Sequence, residues 1–242
     1  MSGAGLRSWL AAAALVAPAA VAAQTLDDVV SKHVAARGGR EALAALRTVR
    51  MSGRVSEAGR QAIVRREIAR PGRIRTEFVF QGVTGVYAWD GSVGWRVSPF
   101  DGVLAPEPLP AEEVALAAEQ ADLDGPLVGW KAKGSTLKLV EVDTLPGGPA
   151  NHLEITLRGG FVRQLWLDAA SGLLVRSLSE RTLRGHDVQL ETSFGDYRET
   201  GGVRFARTIE AGVPGRPRRL RIVVETVETN VPLDDARFSL PR

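Results

Sequence analysis

The sequence predicts a mainly β protein: one large antiparallel sheet, arranged as a sandwich or a barrel, accompanied by two helical segments. Three observations predict this fold. From Val49 onward apolar and polar residues alternate with a period of two, which is typical of strands with one face covered and one in water. Glycine-rich turn signals separate roughly eleven or twelve such runs. Helical periodicity is confined to residues 26–46 and 111–123.

The first helical segment begins at a clear start signal. Thr25 is placed to cap it, and acidic residues follow in the first turn, where the helix dipole favours negative charge. Gly38 and Gly39 predict a break into two helical pieces. The second segment follows the proline-rich residues 106–110 and forms an insert between strands.

The clearest alternation lies at residues 68–80, where apolar positions alternate with charged ones around a Pro71-Gly72 turn. Among the apolar positions only Arg70 and Thr76 are polar. A guanidinium on a covered apolar face has to find several acceptors, because burying it unpartnered is costly. The alternative is that Arg70 reaches past the end of its strand into water.

The N-terminus predicts export. Arg7 precedes an apolar run at residues 9–21, and small residues follow up to Ala23. A positive start, a short apolar core and a small-residue exit are typical of a secretory signal peptide. We therefore predict a signal peptide over residues 1–23 and a mature chain of one domain over residues 24–242, which functions outside the cytoplasm. No later stretch is apolar enough to span a bilayer, so no stable membrane insertion is expected.

The composition excludes several classes of function. The chain has no cysteine, which removes disulfides, thiolate nucleophiles and a lipid-modified cysteine. Its 31 basic and 28 acidic residues are interspersed rather than gathered into a basic patch, so nucleic-acid binding is not expected.

The sequence predicts neither a metal site nor an enzyme. The three histidines, His33, His152 and His186, are not spaced as metal ligands, and each is expected at the surface or in packing. Nucleophile-elbow, phosphate-loop and dinucleotide-binding motifs are absent. A hydrolase remains an alternative if His152 or His186 lies in the cavity, because catalytic groups can meet in space without a local motif. No cofactor is predicted.

The apolar face of so long a sheet points to a ligand. A sheet of this many strands curls, and only two modest helical segments are available to cover its concave face, so an apolar ligand can fit there. Alternation assigns an aromatic and aliphatic set to this face, on the condition that the strands share one register. The predicted cavity residues are Ile74, Phe78, Phe80, Tyr87, Trp89, Trp95, Val97 and Leu116.

Three segments resemble the LolA-like superfamily of periplasmic carriers and sorting proteins for outer-membrane lipoproteins, with its LolB-like and RseB-like relatives. Arg70-Pro71 followed by Phe78 is similar to an arginine-proline and aromatic-strand segment of the carriers. Residues 87–99 contain a similar D-G-x-x-x-W hairpin, and residues 230–238 resemble the N-x-P-L-x-D-x-x-F ending. The motifs occur in the same order as in the carriers, and the resemblance covers nearly the whole mature chain.

The resemblance implies a more specific architecture. It implies a single, strongly curved antiparallel sheet that forms an incomplete barrel, closed by the N-terminal helix and the helical insert. Such proteins hold acyl chains in the apolar cavity. Arg70 matches the arginine that holds the carriers' lid through hydrogen bonds to backbone carbonyls. The insert at residues 111–133 makes this chain longer than the best-known carriers.

The leading hypothesis is a periplasmic carrier that binds the acyl chains of a lipoprotein or lipid and performs no chemistry. Inner- and outer-membrane transfer proteins are its further expected partners, and it is expected to be a monomer. The alternative from another class is an envelope sensor or protein-interaction module with the same fold. An exposed apolar edge and an immobile lid would favour that alternative.

Overall fold

The computed structural model describes residues 24–183, 186–217 and 219–241. The predicted signal peptide, residues 1–23, lies outside them. Within the described residues, none of the helices combines the length and the hydropathy that crossing a membrane requires.

Three α-helices accompany thirteen strands in the part of the chain that the structure describes. The helices are α1 (Leu26–Ala36), α2 (Gly39–Ala45) and α3 (Ala111–Gln120). The strands are β1 (Thr48–Glu57), β2 (Arg60–Ala69), β3 (Arg73–Phe80), β4 (Val83–Trp89), β5 (Gly94–Ser98), β6 (Val103–Pro108), β7 (Thr136–Leu145), β8 (Gly148–Thr156), β9 (Val162–Asp168), β10 (Leu174–Leu183), β11 (His186–Thr200), β12 (Val203–Gly212) and β13 (Arg219–Thr229). Short 3-10 turns lie at Pro99–Asp101 and Asp235–Arg237.

All thirteen strands form one antiparallel sheet. Its order is β6-β5-β4-β3-β2-β1-β13-β12-β11-β10-β9-β8-β7, so every neighbouring pair is a hairpin except β1 with β13. The sheet is open, with β6 and β7 as its edges, and it is not closed into a barrel. The predicted mainly β fold with an open curved sheet is confirmed.

The N-terminal helices form where the sequence predicts them. Thr25 caps α1 in a capping box with Asp28. The chain turns at Gly38, whose φ of 123° is a conformation that favours glycine. A Cβ there would lie 2.0 Å from the carbonyl oxygen of Gly202, so the close approach of this turn to the sheet also requires glycine.

Helix α1 joins two apolar clusters inside the curved sheet. Val30 and Val34 pack into a cluster with residues of β1, β2, β3, β12 and β13. Val29, one residue earlier, packs with residues of β8 and β9. One helix contacts both halves of the sheet because the sheet curves around it, and we call this side the inner face.

The C-terminal segment covers part of the opposite, outer face. Phe238 is fully buried, and its carbonyl oxygen accepts a hydrogen bond of 2.7 Å from Trp95 Nε1. The Arg73 guanidinium lies 5.4 Å from the Phe238 ring centroid, and Arg237 donates to Glu67 at 2.7 Å. At the start of the segment, Asn230 accepts from the Arg47 backbone N–H at 2.7 Å. The ending that resembles the carriers is therefore a strap that ties the chain terminus to β1–β5.

Candidate ligand site between the sheet and helix α3

The inner face of β3 and β4 carries most of the predicted cavity residues. Register pairs Ile74 with Trp89 and Thr76 with Tyr87, and side chains of paired residues share a face. The rings of Phe78 and Tyr87 meet edge-on with their centroids 6.2 Å apart, and the ring centroids of Phe80 and Phe100 are 6.4 Å apart. Ile74 is buried, whereas the aromatic residues Phe78, Phe80, Tyr87 and Trp89 are half-buried.

Two predicted cavity residues, Trp95 and Val97, lie on the outer face instead. Strand β5 pairs with β4 so that Trp95 is opposite Ala88 and Val97 is opposite Val86. These four side chains form a separate apolar cluster beneath the C-terminal strap. The expectation that Trp89 and Trp95 share a face is therefore wrong.

Helix α3 covers the inner face of β3–β5. Gly94 is opposite Trp89, and a Cβ on Gly94 would lie within 3.2 Å of Leu109 and Val114 side-chain atoms. Ala117 of α3 packs into the same cluster as Trp89. The predicted cavity residue Leu116 is half-buried on this helix. The helix thus lies directly over the aromatic face.

Charged side chains attach the body of α3 to the sheet, whereas buried residues anchor its two ends, Leu109 before it and Ala121 and Leu123 after it. None of its residues is fully buried, whereas α1 buries four. Glu113 accepts from Arg96 of β5 at 3.0 Å, and Glu119 forms an ion pair with Arg163 of β9. The helix therefore bridges two distant strands of the open sheet through side-chain charges.

Arg70 ties the loop after α3 to helix α2. Its Nε donates to the Leu46 carbonyl at 2.7 Å, and its Nη2 donates to the Leu43 carbonyl at 3.1 Å. Both carboxylate oxygens of Asp124 accept from the same guanidinium, at 2.9 and 2.6 Å. The peptide bond between Arg70 and Pro71 is cis. Arg70 thus makes two backbone and two carboxylate hydrogen bonds, as its position on an apolar face requires.

The electrostatics of this latch favour the charged forms of both partners. The hydrogen bond to Asp124 raises the pKa of Arg70, and the same contact lowers the pKa of Asp124. Lys133 braces the same loop internally, because its Nζ donates to Asp122 at 2.5 Å and to the Gly125 carbonyl at 2.7 Å. Nearby, burial lowers the pKa of Arg37.

The sequence did not single out the carboxylates that hold α3 and the loop after it. Asp124, the partner of Arg70, lies 54 positions away from it, and neither Glu113 nor Glu119 belongs to a recognisable motif. The only available signal for Asp124 was its position as an acidic residue immediately after the predicted insert helix.

A cation on the inner face, Arg66, was also missed. It lies opposite Thr76, and its Nε donates to the Thr76 hydroxyl at 3.2 Å. Burial lowers its pKa. Among the described residues no carboxylate lies within ion-pair distance of Arg66.

The histidines occupy different environments. His33 is buried on α1 and donates from Nδ1 to the Gly172 carbonyl at 2.9 Å, a packing role. His152 stacks on Trp166 and lies on the outer face, away from α3. The side chain of His186 lies outside the described residues. The condition that His152 lies in the cavity, which the hydrolase alternative set, is therefore not met.

No protein-family model matches the sequence, and no curated protein matches it. Solved structures do match. A LolA superfamily protein from Nitrosomonas europaea superposes with a TM-score of 0.58 at 12% identity, covering 90% of this chain and 98% of that one. The fold is LolA-like.

Two further solved structures share the LolA-like fold. A domain from Vibrio parahaemolyticus named for outer membrane lipoprotein sorting has a TM-score of 0.58 at 10% identity, with coverage of 87% of this chain and 94% of that one. A DUF1329 family protein from Desulfovibrio piger has a TM-score of 0.60 at 12% identity, with coverage of 88% and 96%. The resemblance stated from the sequence motifs is confirmed at the level of the fold.

Proposed function

We propose that this protein is a periplasmic carrier that encloses the acyl chains of a lipoprotein or lipid between the inner face of the sheet and helix α3, without chemistry on its cargo. One observation carries the proposal: α3 lies over an aromatic face, yet charged contacts at its flanks hold it and none of its side chains is fully buried. The body of the helix can therefore lift while the buried residues at its ends, Leu109 and Ala121, stay in place as hinges.

Other features support the same function. The LolA-like fold is shared with a domain named for lipoprotein sorting, and the sequence predicts export. Arg66 supplies a cation on the inner face without a carboxylate partner, which suits a ligand that has an anionic head and an apolar tail. Transfer proteins of the inner and outer membranes are the partners that a carrier of this kind requires.

Ligand binding is tested first with the mature chain. We expect native mass spectrometry of residues 24–242 to show co-purified lipid, and a fluorescent fatty acid to bind the delipidated protein. Phe78→Ser should weaken fatty-acid binding about tenfold or more, because it removes an aromatic contact from the cavity wall. Val97→Ser, on the outer face of the neighbouring sheet region, is the matched control and should leave binding unchanged. Equal effects of the two substitutions, or no lipid binding by the wild type, would contradict the proposal.

The latch is tested with Arg70→Leu. The substitution removes charge-assisted hydrogen bonds that are each worth about 1.5–3 kcal/mol, and we expect the closed, ligand-free form to lose roughly the value of one such bond because the site is partly exposed. Since closure helps to expel the ligand, release of a fluorescent fatty acid to acceptor vesicles should slow by about tenfold. Uptake should persist.

Two controls accompany this measurement. Arg70→Lys should not restore release, because lysine lacks the planar fork that contacts Asp124 and two carbonyls together. Arg54→Leu removes an exposed ion pair with Glu225 on β13 and should change neither step. Unchanged uptake and release in Arg70→Leu would leave Arg70 as an ordinary structural arginine.

The exposed sheet edges favour a second candidate, a sensor or protein-interaction module. Leu104 of edge strand β6 is 78% exposed, and Val142 of edge strand β7 is 61% exposed. An open edge can pair with an extended peptide. A disulfide between Gly94→Cys of β5 and Val114→Cys of α3, where a Cβ on Gly94 would lie 3.2 Å from the Val114 side chain, locks the helix onto the sheet and distinguishes the two candidates. It should abolish lipid uptake by a carrier and leave peptide pairing at the edge strands intact.

A further inference from the structure

Two carboxylates and a histidine converge at the edge of the sheet, on the outer face, opposite to the face that helix α3 covers. Glu141 and Asp143 lie on edge strand β7, and His152 lies on β8 directly opposite Glu141. A bulge between Leu139 and Glu141 shifts the register of β7 there, and bulges commonly re-aim side chains at functional positions. One potential ligand atom from each of the three residues lies within 4.8 Å of the other two.

The hydrogen bonds of His152 place its proton on the far nitrogen. Gln164 donates its amide N–H to Glu154 at 2.9 Å, so the amide oxygen of Gln164 faces His152 Nε2, at 2.8 Å. A carbonyl oxygen only accepts, and Nε2 therefore donates. In the neutral ring, Nδ1 is left with a lone pair.

This lone pair has no donor within the described chain. The Nδ1 atom is fully buried and has no hydrogen-bond partner, and it lies 3.5 Å from Asp143 Oδ2, another acceptor. Two acceptors that face each other at this distance need a proton or a cation between them. Burying an unsatisfied ring nitrogen is otherwise costly.

The spacing fits a metal ion. Ligand atoms about 2.1 Å from a tetrahedral Zn²⁺ lie about 3.4 Å apart, close to the 3.5 Å between Nδ1 and Oδ2. Supporting contacts orient both ligands: Trp166 Nε1 donates to Asp143 Oδ2 at 2.5 Å, and Gln164 holds the His152 ring. Partners of this kind are usual around metal ligands.

We propose that His152, Asp143 and Glu141 form a binding site for a divalent transition-metal cation of the Zn²⁺ class. Histidine nitrogen and two carboxylate oxygens supply three ligands, and water completes a four-coordinate shell. Glu141 is exposed and closes on the ion from the solvent side. The ion would link edge strand β7 to β8 independently of the cavity beneath α3.

A simpler arrangement competes with this one. If His152 is protonated on both nitrogens, Nδ1–H points to Asp143, and the cluster is a histidine–carboxylate ion pair. Besides Glu141, the charged groups near it are Glu154, which holds Gln164, and Arg176, which lies 4.5 Å from the Trp166 ring centroid and pairs with Glu191. Metal binding needs the deprotonated Nδ1, so it separates the two arrangements.

The experiment is calorimetric titration of the untagged mature chain with ZnCl₂ at about pH 7.5, accompanied by quenching of tryptophan fluorescence by Co²⁺. We expect one equivalent to bind and quenching to disappear in Trp166→Phe, because Trp166 contacts two of the three ligands, His152 and Asp143. His152→Phe keeps the ring stack, Asp143→Asn keeps an acceptor for Trp166, and Glu141→Gln alters an exposed side chain. Each should weaken Zn²⁺ binding about tenfold or more.

Glu199→Gln, on β11 outside the cluster, is the matched control and should bind Zn²⁺ like the wild type. No binding by the wild type up to about 1 mM Zn²⁺ would overturn the proposal and leave the ion pair as the explanation. Wild-type affinity in Glu141→Gln and His152→Phe would equally overturn it. Circular dichroism of each variant excludes a loss of fold as the cause of weaker binding. If His152→Phe or Asp143→Asn does not fold, the Zn²⁺ affinity of Glu141→Gln decides the test.

Discussion

Phe238→Ala is expected to lower the free energy of unfolding by about 3–5 kcal/mol, the usual cost of truncating a buried phenylalanine. The ring is 0% exposed although it lies only four residues from the end of the chain. The Phe238 ring packs beneath the Arg73 guanidinium. The backbone carbonyl of Phe238 accepts a hydrogen bond from the Trp95 indole. Urea or thermal unfolding, followed by far-UV circular dichroism, measures the loss.

Leu240→Ala is the matched control in the same strap. Its side chain is 38% exposed, so the substitution should cost less than about 1 kcal/mol. A loss as small as this for Phe238→Ala would show that the strap does not pack on the outer face. Because the strap lies on the face opposite the proposed ligand site, Phe238→Ala should leave fatty-acid affinity unchanged at temperatures where the protein is folded.

Stability is expected to fall by about 3 kcal/mol between pH 7.5 and pH 4 through His33 alone. Burial lowers the pKa of His33 to about 4, from an ordinary value of 6.5. The unfolded chain therefore binds a proton at pH values between these two that the folded chain does not. The contribution of neutral His33 is fully present above pH 6.5 and is lost as the pH falls towards 4.

The measurement compares wild type with His33→Asn across this range. An asparagine amide can still donate to the Gly172 carbonyl, as Nδ1 does now, but it does not titrate. The difference in unfolding free energy between the two proteins should shift by about 3 kcal/mol in favour of the variant as the pH falls. A difference that stays constant with pH would mean that His33 is solvated or charged in the folded protein.

Hairpin loop length explains why sequence reasoning misplaced Trp95. Trp89 and Trp95 are six residues apart, which suggests one face if the strand were continuous. The loop between Trp89 and Gly94 has an even number of residues, and Trp89 pairs with Gly94 across the hairpin. Trp95 therefore pairs with Ala88 and lies on the face opposite to that of Trp89. The Asp90 carboxylate accepts from the Ser92 and Val93 backbone N–H groups and holds this loop. Strand register decides which face Trp95 occupies, because a register shift of one residue moves a side chain to the opposite face of the sheet.

The long-range contacts of the site had no local signal. Arg70 was singled out because it interrupts an apolar set, but its carboxylate partner lies 54 residues away. The metal-ligand cluster combines a bulge in β7, the hairpin register with β8 and a ring orientation set by Gln164 from β9. The spacing of residues along the chain therefore did not reveal which carboxylates lie next to His152.

By itself, the sequence determined the features that depend on near neighbours. Period-two alternation, helix caps and glycine turns predicted the mainly β class, both helical segments and the turn after Arg70, because these depend on backbone sterics and on side chains a few residues apart. Tertiary structure alone decided which face Trp95 joins, that α3 is held by Arg96 and Arg163, and that the C-terminal strap covers the outer face. Those outcomes depend on strand register and on charges brought together by the curvature of the sheet, and neither is encoded within one segment.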